Sequence, residues 1–447
     1  MQFPSLKQKL RVMNKMSPAE QLSPAQRKKY QRTAILSAWF GCITEQLLDS
    51  NSLIILYLIT LGGNESFSMF STAISAICGI FMNIISAGLI SKIGLRASYS
   101  TSVFGSVGAF WLMAAAPSIV PVEYAKYLVI AGCIVYCLLR APYSVAWYPM
   151  LDMILAPNER GGFFGTMRFS YILINACILY LIGKILGTAP AIHTMQLIIA
   201  AAGVFMLGRK ICMDKMPDNP EVKQNKVDIK KSLNISVHNA PLVGFSFYSC
   251  FFNIATTSAM PLTVIYIKTR LNFSAETIMT ATSFYMIGMV CGYAATGPLM
   301  KKIGHRCFQI ITHTIYVVML GILTMVHPAT QNSHIIITAL LWFIGVGGAF
   351  FSCLNSTEML AAVKPGNKVM GAAFCQTFTT LGAAIGRLGT TLVLAAGVLV
   401  PDWKFFGIDM SCYNFMFMFY FFMMLFFYLL LLLTPAIISK HDDYYEP

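Results

Sequence analysis

The chain is 447 residues long, 57% hydrophobic and 11% charged, with a formal net charge of +14. That is more apolar surface than a water-soluble domain can bury, so the composition excludes a soluble enzyme or binding module and points to a membrane protein. The positive charge raises nucleic acid as a partner, but its placement argues against one. Most of the 32 Lys and Arg lie in the N-terminal tail, in alternate loops beginning at Lys92 to Arg96, and in the C-terminal tail, a bias that sets both termini in the cytoplasm.

Residues 1–32 lack the apolar core of a signal peptide and are expected to remain as a cytoplasmic tail, with Ser17 to Glu20 ("SPAE") able to cap a short helix. A hydrocarbon core of about 30 Å needs roughly 20 apolar residues per helix, and about twelve stretches of that length follow. They fall at 33–61, 66–91, 98–116, 124–155, 162–187, 191–210, 241–268, 274–300, 306–327, 334–363, 368–399 and 411–437. Helices are the expected spanning form, because lipid offers backbone groups no partners and barrel-strand alternation is missing. The polar stretch 211–240 divides six helices (33–210) from six (241–437), and 438–447 is a short cytoplasmic tail.

The two halves echo each other. "LISKIGLR" (Leu89 to Arg96) returns as "LMKKIGHR" (Leu299 to Arg306), 210 residues on, between the second and third helices of each half. "DMILAPNERGGFFG" (Asp152 to Gly165) returns as "EMLAAVKPGNKVMG" (Glu358 to Gly371), 206 residues on, after the fourth. Two echoes at nearly equal displacement indicate an internal repeat and two similar six-helix bundles. Gly94 and Gly304 permit tight turns, and the adjacent Lys92, Arg96, Lys302 and Arg306 can bind helix C-terminal carbonyls or anionic headgroups.

Twelve helices, a central polar linker and paired loop motifs resemble the major facilitator superfamily over about residues 33–437. The family's loop motif is G-x-L-a-D-r-x-G-r-r. Leu89, Lys92, Gly94 and Arg96 fit its first copy, and Gly297, Leu299, Lys302, Gly304 and Arg306 its second. Ser91 and Lys301 stand where the motif has its acid, and Ala87 replaces its first Gly, which departs from the family's charge-relay gate. The resemblance implies an all-α membrane fold of two pseudo-symmetric six-helix bundles, alternating access about a central site, and a cavity lined by helices 1, 4, 7 and 10.

Charged side chains inside a membrane cost about 2.5–3.5 kcal/mol each on insertion scales and need partners or a cavity. Glu45 and Asp49 stand four apart on helix 1, on one face, and Arg140 lies midway along helix 4. A carboxylate on helix 1 facing an arginine on helix 4 resembles proton-coupled members of the family. Pairing favours the charged carboxylate and desolvation the protonated one, and that difference can couple proton to solute. Asp49 is the first candidate carrier and Glu45 the alternative, with Arg140 as partner or solute ligand; a purely structural ion pair is the competing reading. Arg387 is a further charge inside a span.

Tyr143, Ser144 and Trp147 follow Arg140 on the same helical face, and Pro142 and Pro149 are expected to interrupt that helix. Helix 7 offers Asn253, Thr256 and Thr257 before Pro261. These two faces, with Asn175 on helix 5 and Gln376 on helix 11, are the candidate solute site; Asn83, Tyr171 and Asn355 are lesser ones. Ordinary helix packing is the alternative for each, since such residues also join membrane helices. Asp152 with Arg160 or Arg168, and Glu358 with Lys364 or Lys368, are candidate latches.

The twelve cysteines are scattered and read as packing residues, with no disulfide framework. Cys133 and Cys137 are one turn apart but lack nearby His or acidic ligands, so no metal or other cofactor is expected. A phosphate loop and zincin spacing are both missing. The expectation is therefore a monomeric secondary transporter, not an enzyme, in the plasma (inner) membrane, moving a sugar or organic acid with protons. Its alternatives are a proton-coupled exporter of amphipathic drugs and a non-transporting sensor on the same scaffold. Residues 162–187 contain no Pro, unlike the Gly/Pro-rich fifth helix of the family's drug:proton antiporters, which favours symport.

Overall fold

A computed structural model of the protein describes residues 22–49, 52–155, 160–217, 229–362, 368–397, 399, 402–405 and 407–433. The chain is built of helices: α1 (Pro24–Asp49), α2 (Ser52–Thr60), α3 (Glu65–Ile93), α4 (Leu95–Ile119), α5 (Val122–Asp152), α6 (Arg160–Leu186) and α7 (Ile192–Asp214) form the first half. A short helix, α8 (Ile229–Val237), precedes the second half of α9 (Ala240–Thr256), α10 (Ala259–Thr269), α11 (Ala275–Met325), α12 (Ser333–Ala362), α13 (Lys368–Ala396) and α14 (Cys412–Leu433). Ten segments among the described residues are long and apolar enough to cross a membrane, α9 and α10 counting as one. α1 and α2, bent by 47° from each other, make another. α11 holds two spans joined at Gly304, which gives the expected twelve.

Helix starts follow the local chemistry. Ser23 and Gln26 make a reciprocal capping box with Pro24 at the first helical position, so α1 begins well before the expected residue 33. "SPAE" at Ser17 to Glu20 lies outside the described residues. Asn64 caps α3 by accepting from the Phe67 N–H at 2.8 Å, and Ser274 caps α11 by accepting from Thr277 N–H at 3.2 Å. Pro142 and Pro149 do not end α5, which runs through both; in a membrane bundle neighbouring groups re-satisfy the carbonyls that proline leaves. The seventh span does break, between α9 and α10. Asn253, Thr256 and Thr257 each donate back to the carbonyl four residues earlier, a bond that bends helices, and Pro261 offers the Thr257 carbonyl no N–H.

A two-stranded antiparallel hairpin, β1 (Asp402–Phe405) with β2 (Ile408–Ser411), joins α13 to α14 where only a loop was expected. Trp403 Nε1 donates to the Ser411 carbonyl at 3.0 Å and ties it together.

The repeat is visible in backbone and packing alike. Gly94 (φ 89°, ψ 165°) and Gly304 (φ 78°, ψ 165°) adopt the same conformation, one open essentially to glycine alone, at matching positions of the two halves. The halves meet along two helix pairs related by the same pseudo-symmetry, α3 with α13 and α6 with the first arm of α11.

The ends of the molecule differ. At the far end, opposite the linker, one hydrophobic core runs through both halves, from Leu53 and Met113 to Ile265, Leu320 and Tyr413. Ser52–Leu58 of α2 and Ala259–Ile267 of α10 are buried on every face. At the linker end the cores are separate among the described residues: Tyr99, Met150 and Met206 belong to a first-half cluster, while Leu242 with Cys375 and Phe308 with Leu354 form second-half ones. Among the described residues the apolar core is thus continuous between the halves at the far end and divided toward the linker end, where Arg168 of α6 still reaches across to Tyr293 of α11.

Candidate functional site

Three helices of the first half bring charged groups to one point. α1 presents Ser37, Gly41 and Glu45 four residues apart, as a single strip. Arg209 of α7 lies along it: Nε donates to the Ser37 carbonyl at 3.2 Å and Nη1 meets Glu45 Oε1 at 2.5 Å. The guanidinium passes so close over Gly41 that a Cβ there would fall 1.6 Å from Arg209 Cζ. The Tyr143 ring of α5 packs on the same group, its centroid 4.2 Å from Cζ. Arg140, on the same helix, reaches the other carboxylate oxygen, Nη2 to Oε2 at 3.5 Å. Arg209 is 3% exposed, against 19% for Glu45 and 22% for Arg140. The tight pair is therefore sealed into the bundle, and the looser one opens onto accessible space.

The surroundings are aromatic and polar. Tyr143 also packs against Tyr99 and Trp147, with centroids 5.3 and 5.7 Å away, and is itself buried, whereas Ser144 and Trp147 are half-buried. Tyr136 donates to Thr44 Oγ1 at 3.4 Å, and Cys42 Sγ to Asn175 Oδ1 at 3.4 Å. The carboxylate that the structure brings to Arg140 is thus Glu45. Asp49 closes α1 one turn further on, with its side chain outside the described set.

The second-half candidates are placed differently. Asn253, Thr256 and Thr257 spend their polar groups on their own helix, and the first two are buried. Ser249 Oγ donates to Asn355 Oδ1 at 2.8 Å, joining α9 to α12. Gln376 is exposed on the face of α13 that also carries Thr380 and Arg387 toward α3, where Arg387 Nη1 donates to the Thr72 carbonyl at 2.7 Å. Tyr171 packs at the edge of two cores, and the side chain of Asn83 lies outside the described set. None of these second-half groups joins Glu45 in this conformation among the described residues.

The family described as Major Facilitator Superfamily matches residues 35–387. The chain belongs to the major facilitator superfamily. No curated protein matches it significantly in sequence. Among solved structures, a crystal structure of a D-xylose–proton symporter is similar at 16% identity and a TM-score of 0.70, covering 92% of this chain and 98% of that one. A mutant of the nucleoside transporter NupG is similar at 12% identity and 0.68, covering 92% and 100%. The inward-open xylose transporter XylE from E. coli is similar at 13% and 0.67, covering 91% and 96%. At such identities the likeness establishes the fold: this is a multi-pass membrane protein of a transporter family, not an enzyme family.

With the superfamily established, its two loop motifs can be placed. Arg96 Nη2 donates to the carbonyls of Asp214 (3.0 Å) and Met216 (3.4 Å), where α7 ends without enough intrahelical donors. Lys302 and Arg306 are exposed beside Gly304. Glu358 meets His305 of the second loop, Nδ1 to Oε1 at 2.8 Å, where the sequence had offered Lys364 or Lys368; Lys364 and the side chain of Lys368 lie outside the described set. So do the side chains of Lys92, Asp152 and Arg160. Arg168, offered as a partner of Asp152, stacks toward Tyr293 of α11, its Cζ 5.9 Å from the ring centroid.

Arg209 is the residue that sequence reading missed. It sits beside Lys210 at the end of a predicted span, where both read as topology charges. The available signal was a pair of glycines, Gly41 and Gly208, on two apolar helices: a Cβ at Gly208 would meet the Phe40 ring at 2.6 Å, so both mark where α1 and α7 close on each other.

Proposed function

We propose that this protein is a secondary active transporter that carries a small polar organic solute, a sugar or an organic acid, by alternating access and in symport with protons. The observation that supports this most is Glu45 held between Arg140 and Arg209 and partly accessible at mid-span. A buried arginine such as Arg209 requires a carboxylate and further hydrogen bonds, and Glu45 with the Ser37 carbonyl supplies them. Arg140 holds the same carboxylate more loosely, so a proton on Glu45 and an anionic or hydroxylated solute on Arg140 exchange for one ion pair.

In this reading Glu45, rather than Asp49, takes the proton. Arg140, Ser144 and Trp147 meet the solute, while Tyr143 and Arg209 hold the carboxylate in place. Asn175 steadies α1 through Cys42. The second-half groups, Asn253, Thr256, Thr257 and Gln376, close on the solute when the bundles rock together at the linker end. The arrangement of closed far end and separate linker-end cores supports a state open to the cytoplasm, both termini being cytoplasmic by the positive-inside bias. Lys92, Gly94, Arg96 and Asp152 with Arg160, and their counterparts Lys302, Gly304, Arg306 and Glu358, shape the gate at that end. That other chains of similar fold are a proton symporter for a sugar and a nucleoside transporter is consistent with a polar solute.

The test is a thermal-shift screen of the purified protein against sugars, organic acids, amino acids and amphipathic drugs at two pH values. A sugar or acid should stabilise it in a pH-dependent manner that Arg140→Ala abolishes. Stabilisation by unrelated amphipathic drugs alone would overturn the reading in favour of an exporter.

A further inference from the structure

At the far end, the C-terminus of α6 and the N-terminus of α11 meet head to tail across the two halves. Lys184 Nζ lies 2.5 Å from Glu276 Oε1. The Glu276 backbone N–H donates to the Gly187 carbonyl at 3.0 Å, and Gly187 takes a left-handed turn (φ 60°) just past the last residue of α6. Deeper in the same seam, Ser283 Oγ donates to the Ala176 carbonyl at 2.7 Å, and Gly183 lets the Met279 side chain and the Glu276 backbone approach.

Each group in this contact has a second home. Lys184 lies in the last turn of its own helix and Glu276 in the first turn of its own, the ends at which a cation and an anion are favoured without any partner. Lys184 Nζ is also 5.5 Å from the centroid of the Tyr180 ring, one turn back. The Glu276 N–H is one of the four first-turn donors that a helix leaves unpaired, and water can take it. Both side chains are substantially exposed, Lys184 at 53% and Glu276 at 32%. A contact formed by solvated groups with in-helix alternatives biases an equilibrium without trapping it. Two charges sealed from water would be far harder to pull apart and rejoin, because each would be left buried without its partner.

We propose that Lys184, Glu276 and the Gly187 carbonyl form the reversible latch that holds the far side of this transporter shut. The proposal rests on the alternating-access reading. Breaking the ionic part should raise the share of the far-side-open state about two- to fivefold, the scale of an exposed pair.

The experiment measures the distance between spin labels placed at Val122, which opens α5, and Ile335, in the first turn of α12; both are exposed and belong to opposite halves. Labels carried on non-canonical side chains leave the native cysteines untouched. Glu276→Gln and Lys184→Met should each populate a longer distance than the parent. The exchange Lys184→Glu with Glu276→Lys should recover the short distance in part, because the pair re-forms while each charge now sits on the wrong helix end. Two distances whose populations ignore all of these substitutions would overturn the latch and leave alternating access standing, as would single variants that shift without recovery in the exchanged pair. One distance that no substitution, ligand or pH value moves would remove the alternating-access reading itself, and the latch with it.

Discussion

The charged cluster depends on a residue with no side chain. Gly41 is where the Arg209 guanidinium crosses α1, and an added methyl group would overlap it. Gly41→Ala should therefore lower the melting temperature and expose Arg209, whereas Gly244→Ala, at a helical site with nothing within 4 Å of the added carbon, should melt close to the parent. Glu45→Ala should be more damaging, leaving a sealed guanidinium without its carboxylate at a cost of roughly 3–5 kcal/mol. Glu45→Gln keeps an acceptor oxygen for Arg209 and should lose less, which thermal melts of the two variants would show. Sequence set a helix 1 carboxylate, Asp49 first and Glu45 as the alternative, toward Arg140, because all three are charges far from any loop; the choice between the two carboxylates took packing. It could not separate Arg209 from Lys210, since adjacent helical positions point about 100° apart and only packing reveals which one enters the bundle. Tyr143 illustrates the reverse: its place one turn after Arg140 suggested a solute face, yet its ring seats Arg209.

At the scale of elements, the paired glycines carry a specific expectation. Gly94→Ala and Gly304→Ala should each destabilise by about 1–3 kcal/mol, because both residues hold a conformation that side chains resist. Gly165→Ala, in the interior of α6 with open space around it, is the control and should be neutral in the same melts. Equal penalties at 94 and 304 would follow from their matching backbone angles. The long apolar spans and this echo were readable from sequence, since lipid imposes a length on every helix and the repeat imposes a register. The breaks were not, because composition is alike on both sides of them. Between α9 and α10 the break comes from side chains bonding back onto their own helix next to Pro261, a competition that sequence alone leaves undecided. The hairpin between α13 and α14 has strands of four residues each, too short to show a period.

Over the whole molecule, the described residues of the two halves share one core at the far end and keep separate cores at the linker end. In the proposed alternating-access cycle this arrangement exposes the central site to one side at a time, and the seams α3 with α13 and α6 with α11 are the surfaces on which one bundle turns against the other. Membership of the major facilitator superfamily accounts for this architecture, while the proposed proton coupling rests on residues of this chain. The most direct test of that chemistry is uptake into proteoliposomes of the solute that stabilises the protein, with and without an imposed proton gradient, in the parent and in Glu45→Gln. The parent should accumulate solute under the gradient until a protonophore collapses it, and Glu45→Gln should still exchange labelled for unlabelled solute but no longer accumulate it. Undiminished proton-driven accumulation by Glu45→Gln would remove the proton-carrying role from Glu45.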